Sequence, residues 1–372
     1  MTARTPVVLS VFATFAMGGP QVRFAALANR FGPRWQHIVI AMDGRHDAME
    51  RIAPDVPIRC EPSPIGKGEG PMALLRLRGA LRRLAPDVLI TSNWGSIEWA
   101  VANLPPPRVH HIHMEDGFGP DEAAGQKPRR VLARRLILRC SEVILPSRRL
   151  LQAARELWRL PERRLHYIPN GLDLRRFDTG GTDAVQVPPG EGPVIGTVAK
   201  LRAEKNIGRL LEAVAMLRAG GTGARLLIVG DGPEQHGLEA QARALGLSDV
   251  VLFAGHQPDP AASYRAMNVF ALSSDTEQMP FSVLEAMASR LPVASTDVGD
   301  VRTMVAAENA GFVEGGDAQS LAACLRPLLA DPALRRAVGA ANRVKAERDY
   351  DQEAMFQAYA RLIEPGATAG AT

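Results

Sequence analysis

Long apolar runs are missing from this chain. Nowhere do about 18 hydrophobic residues follow one another, so no membrane-spanning helix is expected. Cysteine is scarce too. Cys60, Cys140 and Cys324 are odd in number and far apart, which fits neither a disulfide framework nor a zinc site and points to a reducing compartment. G-x-G-x-x-G and Walker A patterns are both absent, which removes the strongest signals for a dehydrogenase or a P-loop enzyme. No repeat of 20 to 50 residues is present. The opening "MTARTPVVLSVFATFAMGGPQ" holds an apolar stretch of only about a dozen residues that runs into Gly18-Gly19 and a helical pattern. It reads as a first strand and glycine loop, not as a signal peptide.

What is present describes a water-soluble globular chain: 46% hydrophobic, 23% charged and 5% aromatic residues. A length of 372 residues is long for one core and points to two domains. Short β-rich runs alternate with amphipathic stretches throughout. Strands are expected at 7–11, 37–41, 87–91, 108–112 and 142–146, then at 193–199, 225–230, 250–255, 269–273 and 292–296. Helical patterns fall between them, at 21–31, 72–84, 129–139 and 148–158, then at 207–219, 234–245, 282–289 and 319–330. Near-continuous apolar strands alternating with helices mean parallel sheets covered on both faces. The fold class is therefore α/β, with two doubly wound Rossmann-like domains. Pro169 and the turn dipeptide Asn170-Gly171 place the join. The expected division is 1–168, 169–348, a C-terminal helix within 349–364 that returns to the first domain, and a frayed tail at 365–372.

The formal charge is +4, but its distribution is uneven: Lys127 to Arg164 holds twelve Lys/Arg against three Glu. Such a stretch can face nucleic acid, an anionic membrane or an acidic substrate, or be only a solvated helix surface.

In open parallel sheets, ligands bind beyond the carboxyl ends of the strands, and four stretches fall there. "TEQMPFSVLEAMASRLPVASTDVGD" (276–300) puts Glu277 in a loop and Glu285 eight residues on, in a helix. Its first amides, around Phe281 and Ser282, suit a phosphate. Ser282-x-x-Glu285 also reads as a capping box, with Ser282 as N-cap. A carboxylate pair for glycoside hydrolysis is a further reading. "TVAKLRAEKN" (197–206) places Lys200 and Lys205 directly after a strand, where two ammonium groups could neutralise a pyrophosphate leaving group. In "FAMGGPQVRF" (15–24), Gly18 and Gly19 allow close backbone approach to a phosphate. "VHHIHMEDGFGPDEA" (109–123) crowds His110, His111, His113, Glu115, Asp116 and Asp121 at a strand end. Alternating strand faces keep those histidines from converging on a metal. A base or charged acceptor group near Asp116 fits better. Asp349-Tyr350-Asp351, the sole D-x-D, reads as acidity opening the last helix.

Together these stretches resemble the retaining glycosyltransferase family 4, which has the GT-B fold of two Rossmann-like domains facing a central cleft. "IPNGLDLRRF" is similar to that family's I-P-N-G-V-D-x-x-x-F, "VAKLRAEKN" to V-G-R-L-x-x-E-K-G, and "IVGDGPE" to a common strand-turn. "TEQMPFSVLEAMASRLPVAST" is similar to its E-x7-E signature, and "MGGPQVRF" sits at its G-G loop. The resemblance implies that Glu285 holds the donor ribose and Glu277 the sugar hydroxyls. Lys200 and Lys205, with amides at Phe281 and Ser282, would face the diphosphate. Gly18 and Gly19 would admit phosphate or acceptor, and Asp116 stands where many relatives carry His. Three departures are evident: Lys200 for Arg, Gln278 for Gly, and Arg290 for Gly.

The implied reaction is metal-independent transfer of a sugar, with retention, from a UDP- or GDP-sugar to a hydroxyl of a lipid-linked or surface-polysaccharide acceptor. No cofactor and no nucleic acid partner is implied. The location implied is cytoplasmic, with peripheral contact to anionic membrane through 128–164. Two other readings compete: a GT-B epimerase acting on the nucleotide sugar, and a binding protein of the same fold without turnover.

Overall fold

The computed structural model describes residues 4–66, 72–105, 108–118, 122, 125–178 and 186–364. Asp121 and the tail 365–372 lie outside the described residues. Chain contacts define two units, Met1–Asn170 with Glu353–Thr372, and Gly171–Gln352. The first boundary falls within the Asn170-Gly171 dipeptide.

Unit 1 contains β1 (Val7–Phe12), β2 (Gln36–Ala41), β3 (Ile58–Cys60), β4 (Val88–Ser92), β5 (His110–Met114), β6 (Glu142–Leu145) and β7 (Leu165–Tyr167). They form one parallel sheet in the order β3-β2-β1-β4-β5-β6-β7. Unit 2 contains β8 (Val194–Val198), β9 (Arg225–Val229), β10 (Val251–Phe253), β11 (Val269–Leu272) and β12 (Val293–Ser295). Their parallel order is β10-β9-β8-β11-β12. In each sheet the winding reverses beside its first strand, between β1 and β4 and between β8 and β11. At such a reversal the flanking loops diverge, leaving a crevice beyond the strand ends.

Both faces of each sheet are covered, which is why the strands are almost uniformly apolar. In unit 2, Val283, Leu284 and Met287 of the helix Phe281–Ala288 pack on Leu227, Phe270 and Val293. The other face carries Leu210, Val214 and Leu325 from the helices Ile207–Ala219 and Ala318–Ala330. In unit 1, Leu27 and Phe31 of the helix Gly19–Phe31 share a core with Met355, Phe356 and Tyr359 of the helix Gln352–Ile363. That last helix is further held by Arg30–Glu353 and Arg34–Glu364 ion pairs and by a bond between His110 and the Leu362 carbonyl.

Three sequence expectations are corrected. The strand expected at 108–112 lies two residues later. The helix Pro332–Asp349 was not anticipated, although Asp331 caps it and Pro332 opens it. Its buried face contains Asn342 and Arg343, which spoil the apolar periodicity. Asn342 bonds Asn309, the Leu291 carbonyl and the Ala306 amide, and Arg343 bonds the Leu174 and Ala288 carbonyls. Asp349 closes that helix instead of opening the last one. Bonds from Arg348 and Lys345 hold its carboxyl below the usual range.

His37 sits edge-on to Phe24 and Trp35 and lines a small cavity with Ser10 and Tyr359. Burial pushes its imidazole down to about 4, and burial with neighbouring histidines pushes His111 down to about 3. The unfolded chain binds these protons near the ordinary value and the fold does not. Stability is therefore complete above about pH 6.5 and declines as pH falls towards 4. Urea unfolding at about pH 7.5 and pH 4.5 should show that loss, and a smaller one in His37→Phe.

Candidate active site

In unit 2, the loop after β8 carries Lys200 and Lys205, and the loop after β11 carries Glu277. These strands are neighbours at the winding reversal, so residues about seventy positions apart in sequence meet. The Lys205 ammonium pairs with Glu277 Oε1, which also accepts from Ser274 Oγ at 2.8 Å. The two side chains are 24% and 10% exposed, so the pair is shielded yet reachable.

The backbone around this pair is fixed by several contacts. Ser273 Oγ donates to the Lys205 carbonyl at 3.0 Å, and the Asp275 amide to the Glu204 carbonyl at 2.9 Å. Arg209 reaches from the next helix to the Ser273 carbonyl at 2.8 Å and to Asp275 at 2.6 Å. The Glu277 and Gln278 carbonyls lie on Gly299, where a Cβ would stand 2.6 Å from each, and Gly299 has a φ of +53°. Glycine is required there on both counts. The Asp300 amide donates to the Gln278 carbonyl at 2.8 Å.

Lys200 does not join Lys205. It pairs at 2.5 Å with Asp231, in the loop after β9, and holds that carboxyl below its usual range. Both partners of this pair are exposed.

Ser282 is not the N-cap that the capping-box spacing predicts. The helix begins at Phe281, with Pro280 at the cap position and no side-chain cap. Proline has its φ preset and no N–H to satisfy, so it takes the place assigned to serine. The cap position offers the first-turn amides no side-chain acceptor, and the first turn has no acidic residue. Glu285 turns sideways, and its Oε2 accepts from the Tyr264 hydroxyl at 2.7 Å. Burial, then the charge of Glu285, pushes that phenol well above its ordinary value and keeps it a donor. Tyr264 had no sequence signal, lying in a short helix some twenty residues upstream.

In unit 1, Gly18 precedes the helix Gly19–Phe31, whose start has neither a side-chain cap nor an acidic residue. Asp116 follows β5 at the same edge. Its carboxylate pairs with Arg23, and its amide donates to Asn93 Oδ1 at 2.7 Å. Neither partner was singled out from sequence, although Arg23 belongs to the quoted glycine stretch. His111 and His113 share Thr91 Oγ1 at 2.9 and 2.8 Å, while His110 bonds the Leu362 carbonyl. Among the described residues no group of three His, Cys, Asp or Glu could hold a metal.

The basic stretch is less of a surface than its count implies. Arg134 is buried among Trp94, Phe118 and Trp158, and it bonds Glu115 at 3.0 Å and Glu122 at 3.3 Å. Arg130, Arg155 and Arg164 pair with Glu122, Glu162 and Glu142. Arg129, Arg135 and Arg139 remain exposed around Leu132 and Leu136, which are 56% and 64% exposed. Among the described residues no helix is long and apolar enough to cross a membrane.

Two α/β units with parallel sheets, the second carrying a lysine-carboxylate pair and an uncapped helix at its winding reversal, define a GT-B type protein. Residues 17–176 match the family described as Glycosyltransferase Family 4, and residues 182–345 match Glycosyl transferases group 1. The chain thus carries two glycosyltransferase domains, one matched by each model. Over 176 residues it is 33% identical to the lipopolysaccharide core biosynthesis glycosyltransferase LpsE of Rhizobium meliloti, covering 47% of this chain and 51% of that protein. Over 181 residues it is 30% identical to the 2-deoxystreptamine glucosyltransferase of Streptomyces kanamyceticus, covering 46% and 47%. The chain spans about half the length of the curated relatives it matches. In fold it is similar to HepE from Anabaena, solved with UDP and glucose, with a TM-score of 0.78 at 18% identity over 97% of this chain and all of that one. WaaG, a glycosyltransferase involved in lipopolysaccharide biosynthesis, gives a TM-score of 0.73 at 17% identity, again over 97% and all of it.

Arg290, one of the departures noted from sequence, follows this helix at a φ of +59°. Its amide bonds the Met287 carbonyl and the Leu291 amide bonds the Ala286 carbonyl, the pair of bonds that closes a Schellman motif. Glycine is favoured there, and Arg290→Gly should stabilise the protein by about 1 kcal/mol, read by urea unfolding.

Proposed function

We propose that this chain transfers a sugar, with retention, from a UDP- or GDP-sugar to a hydroxyl of a lipid-linked or surface-polysaccharide acceptor. The observation that carries this reading is the Lys205–Glu277 contact at the β8/β11 reversal, with the uncapped helix bearing Glu285 beside it. UDP is the first donor nucleotide to try, because HepE was solved with it.

Each group then has a task. Tyr264 fixes one oxygen of Glu285, orienting the carboxylate towards the donor ribose. The amides of Phe281 and Ser282 receive the diphosphate at the positive end of their helix. Lys205 sits between that phosphate and Glu277, and Lys200 approaches from the exposed side. As the glycosidic bond to the phosphate breaks, negative charge grows on the departing oxygen, and the ammonium groups and amides stabilise it more than they stabilise the bound donor. They take the place of a metal in this reading. Glu277 keeps a carboxylate oxygen for the sugar hydroxyls, and Gln278 beside it selects among sugars. In unit 1, Gly18, Gly19 and Asp116 line the acceptor side. Arg129, Arg135 and Arg139 attract anionic lipid, while Leu132 and Leu136 insert among the headgroups.

Thermal-shift screening against UDP-, GDP- and ADP-sugars identifies the donor, since a ligand at 100 times its Kd adds about 2.7 kcal/mol of stability. Lys205→Ala and Glu285→Ala should each lower turnover about a hundredfold or more without unfolding the protein. Near-wild-type rates in both would refute the assignment, and a loss of turnover in EDTA would refute metal independence. In vesicle flotation, binding should require anionic lipid and weaken in a Leu132→Ser/Leu136→Ser variant. Equal binding to neutral vesicles would rule out the charged contact.

A further inference from the structure

Arg23 is almost completely buried, with its side chain 2% exposed, whereas that of its partner Asp116 is 12% exposed. Nη1 lies 2.6 Å from Asp116 Oδ1 and Nη2 lies 2.8 Å from Oδ2. Nη1 also donates to Asn170 Oδ1 at 2.7 Å, and Nε has no acceptor among the described residues. The pair thus seals its cation inside unit 1 and leaves its anion at the ligand edge. Removing a guanidinium from water is costly, and a single ion pair seldom recovers the loss. An apolar side chain at the same place on the helix would pack without that cost.

A second cost is borne by a residue that holds the Asp116 backbone. Asn93, directly after β4, has a φ of +57° and a ψ of −177°, a region close to glycine-only. This strained backbone lets its Oδ1 accept the Asp116 amide at 2.7 Å while its own amide bonds the Met114 carbonyl at 2.8 Å. Asn93 stands at the β1/β4 reversal, where the next loop approaches so closely that a Cβ on Gly95 would lie 2.4 Å from that of Ala13. Two unfavourable features, a buried charge and a strained asparagine, therefore converge on one partly open carboxylate at the crevice of unit 1. Strain and buried charge persist where the surrounding structure over-determines them, and they collect at functional sites.

We infer that Arg23 is a positioning residue: it and Asn93 fix the Asp116 carboxylate as a hydrogen-bond acceptor for a sugar hydroxyl of the acceptor. The fork of Arg23 uses one lone pair on each oxygen and leaves the others for substrate. Because the guanidinium holds both oxygens, the carboxylate cannot rotate, and the acceptor hydroxyl is presented in one orientation. The role rests on the glycosyl transfer proposed above and adds to it a device in unit 1 for the acceptor.

The test compares Arg23→Met, Arg23→Lys, Asp116→Asn and the double variant Arg23→Met/Asp116→Asn. Initial rates are measured with UDP-, GDP- and ADP-sugars as donors and octyl β-glucoside as the acceptor probe, and folding is followed by circular dichroism. Asp116→Asn and Arg23→Met should each lower kcat/KM for the acceptor about tenfold or more, with donor KM and nucleotide-induced thermal shift unchanged. The double variant should lose no more than the worse single one, since Arg23 acts through Asp116. Arg23→Lys, which keeps the charge and loses the fork, should recover part of the rate. Losses that multiply, or acceptor kinetics within about twofold of wild type in a folded Arg23 variant, overturn the role. If Arg23→Met does not fold, Arg23→Lys decides by the same criterion. A wild-type protein inert towards every donor overturns the transfer reading and this role with it, whereas normal transfer in the Arg23 variants overturns this role alone.

Discussion

The Lys205–Glu277 contact depends on one constraint, the adjacency of β8 and β11. Parallel strands cannot be joined by a tight turn, so each must be followed by a crossover before the next can pair. Where the winding changes direction beside the first strand, two loops distant in sequence are left side by side with no crossover between them. Lys205 and Glu277 occupy those loops. Gly299 and Asp300, from the loop after β12, then support the Glu277 backbone from beneath. A side chain at Gly299 would collide with the Glu277 and Gln278 carbonyls.

Unit 1 uses the same principle with different chemistry. Its reversal lies between β1 and β4, and the groups collected there are Asn93, Asp116 and Arg23. Behind them, Arg134 holds Glu115 and Glu122 from within three aromatic rings, so the loop bearing Asp116 is tethered on both sides. Buried cations stabilise little by themselves, but they define one arrangement of the chain. That use explains why Arg134, within an apparently basic surface stretch, faces inward.

Much of the layout was legible before any coordinates. Near-continuous apolar strands alternating with helices imply covered parallel sheets, and Asn170-Gly171 marks the passage between units. The helix Pro332–Asp349 was hidden because Asn342 and Arg343 stand beside Val338, Gly339 and Ala346 on its buried face, which interrupts the hydrophobic period on which helix recognition rests. Ser282 misled for a related reason. The capping-box spacing is a local pattern, whereas the position of a cap depends on where the preceding loop ends, and Pro280 ended it two residues earlier.

By itself, the sequence determined which chemical groups stand near strand ends, because strand length and periodicity are local properties. It placed Lys200, Lys205, Glu277, Glu285 and Asp116 at loops or helix starts. Only the tertiary structure decided how they pair: Lys205 with Glu277, Lys200 with Asp231, Glu285 with Tyr264, and Asp116 with Arg23. Each of these pairs spans at least twenty residues of chain. Strand order brings them together, and strand order follows from how the helices between strands cover the two faces of a sheet, which no single stretch of sequence contains.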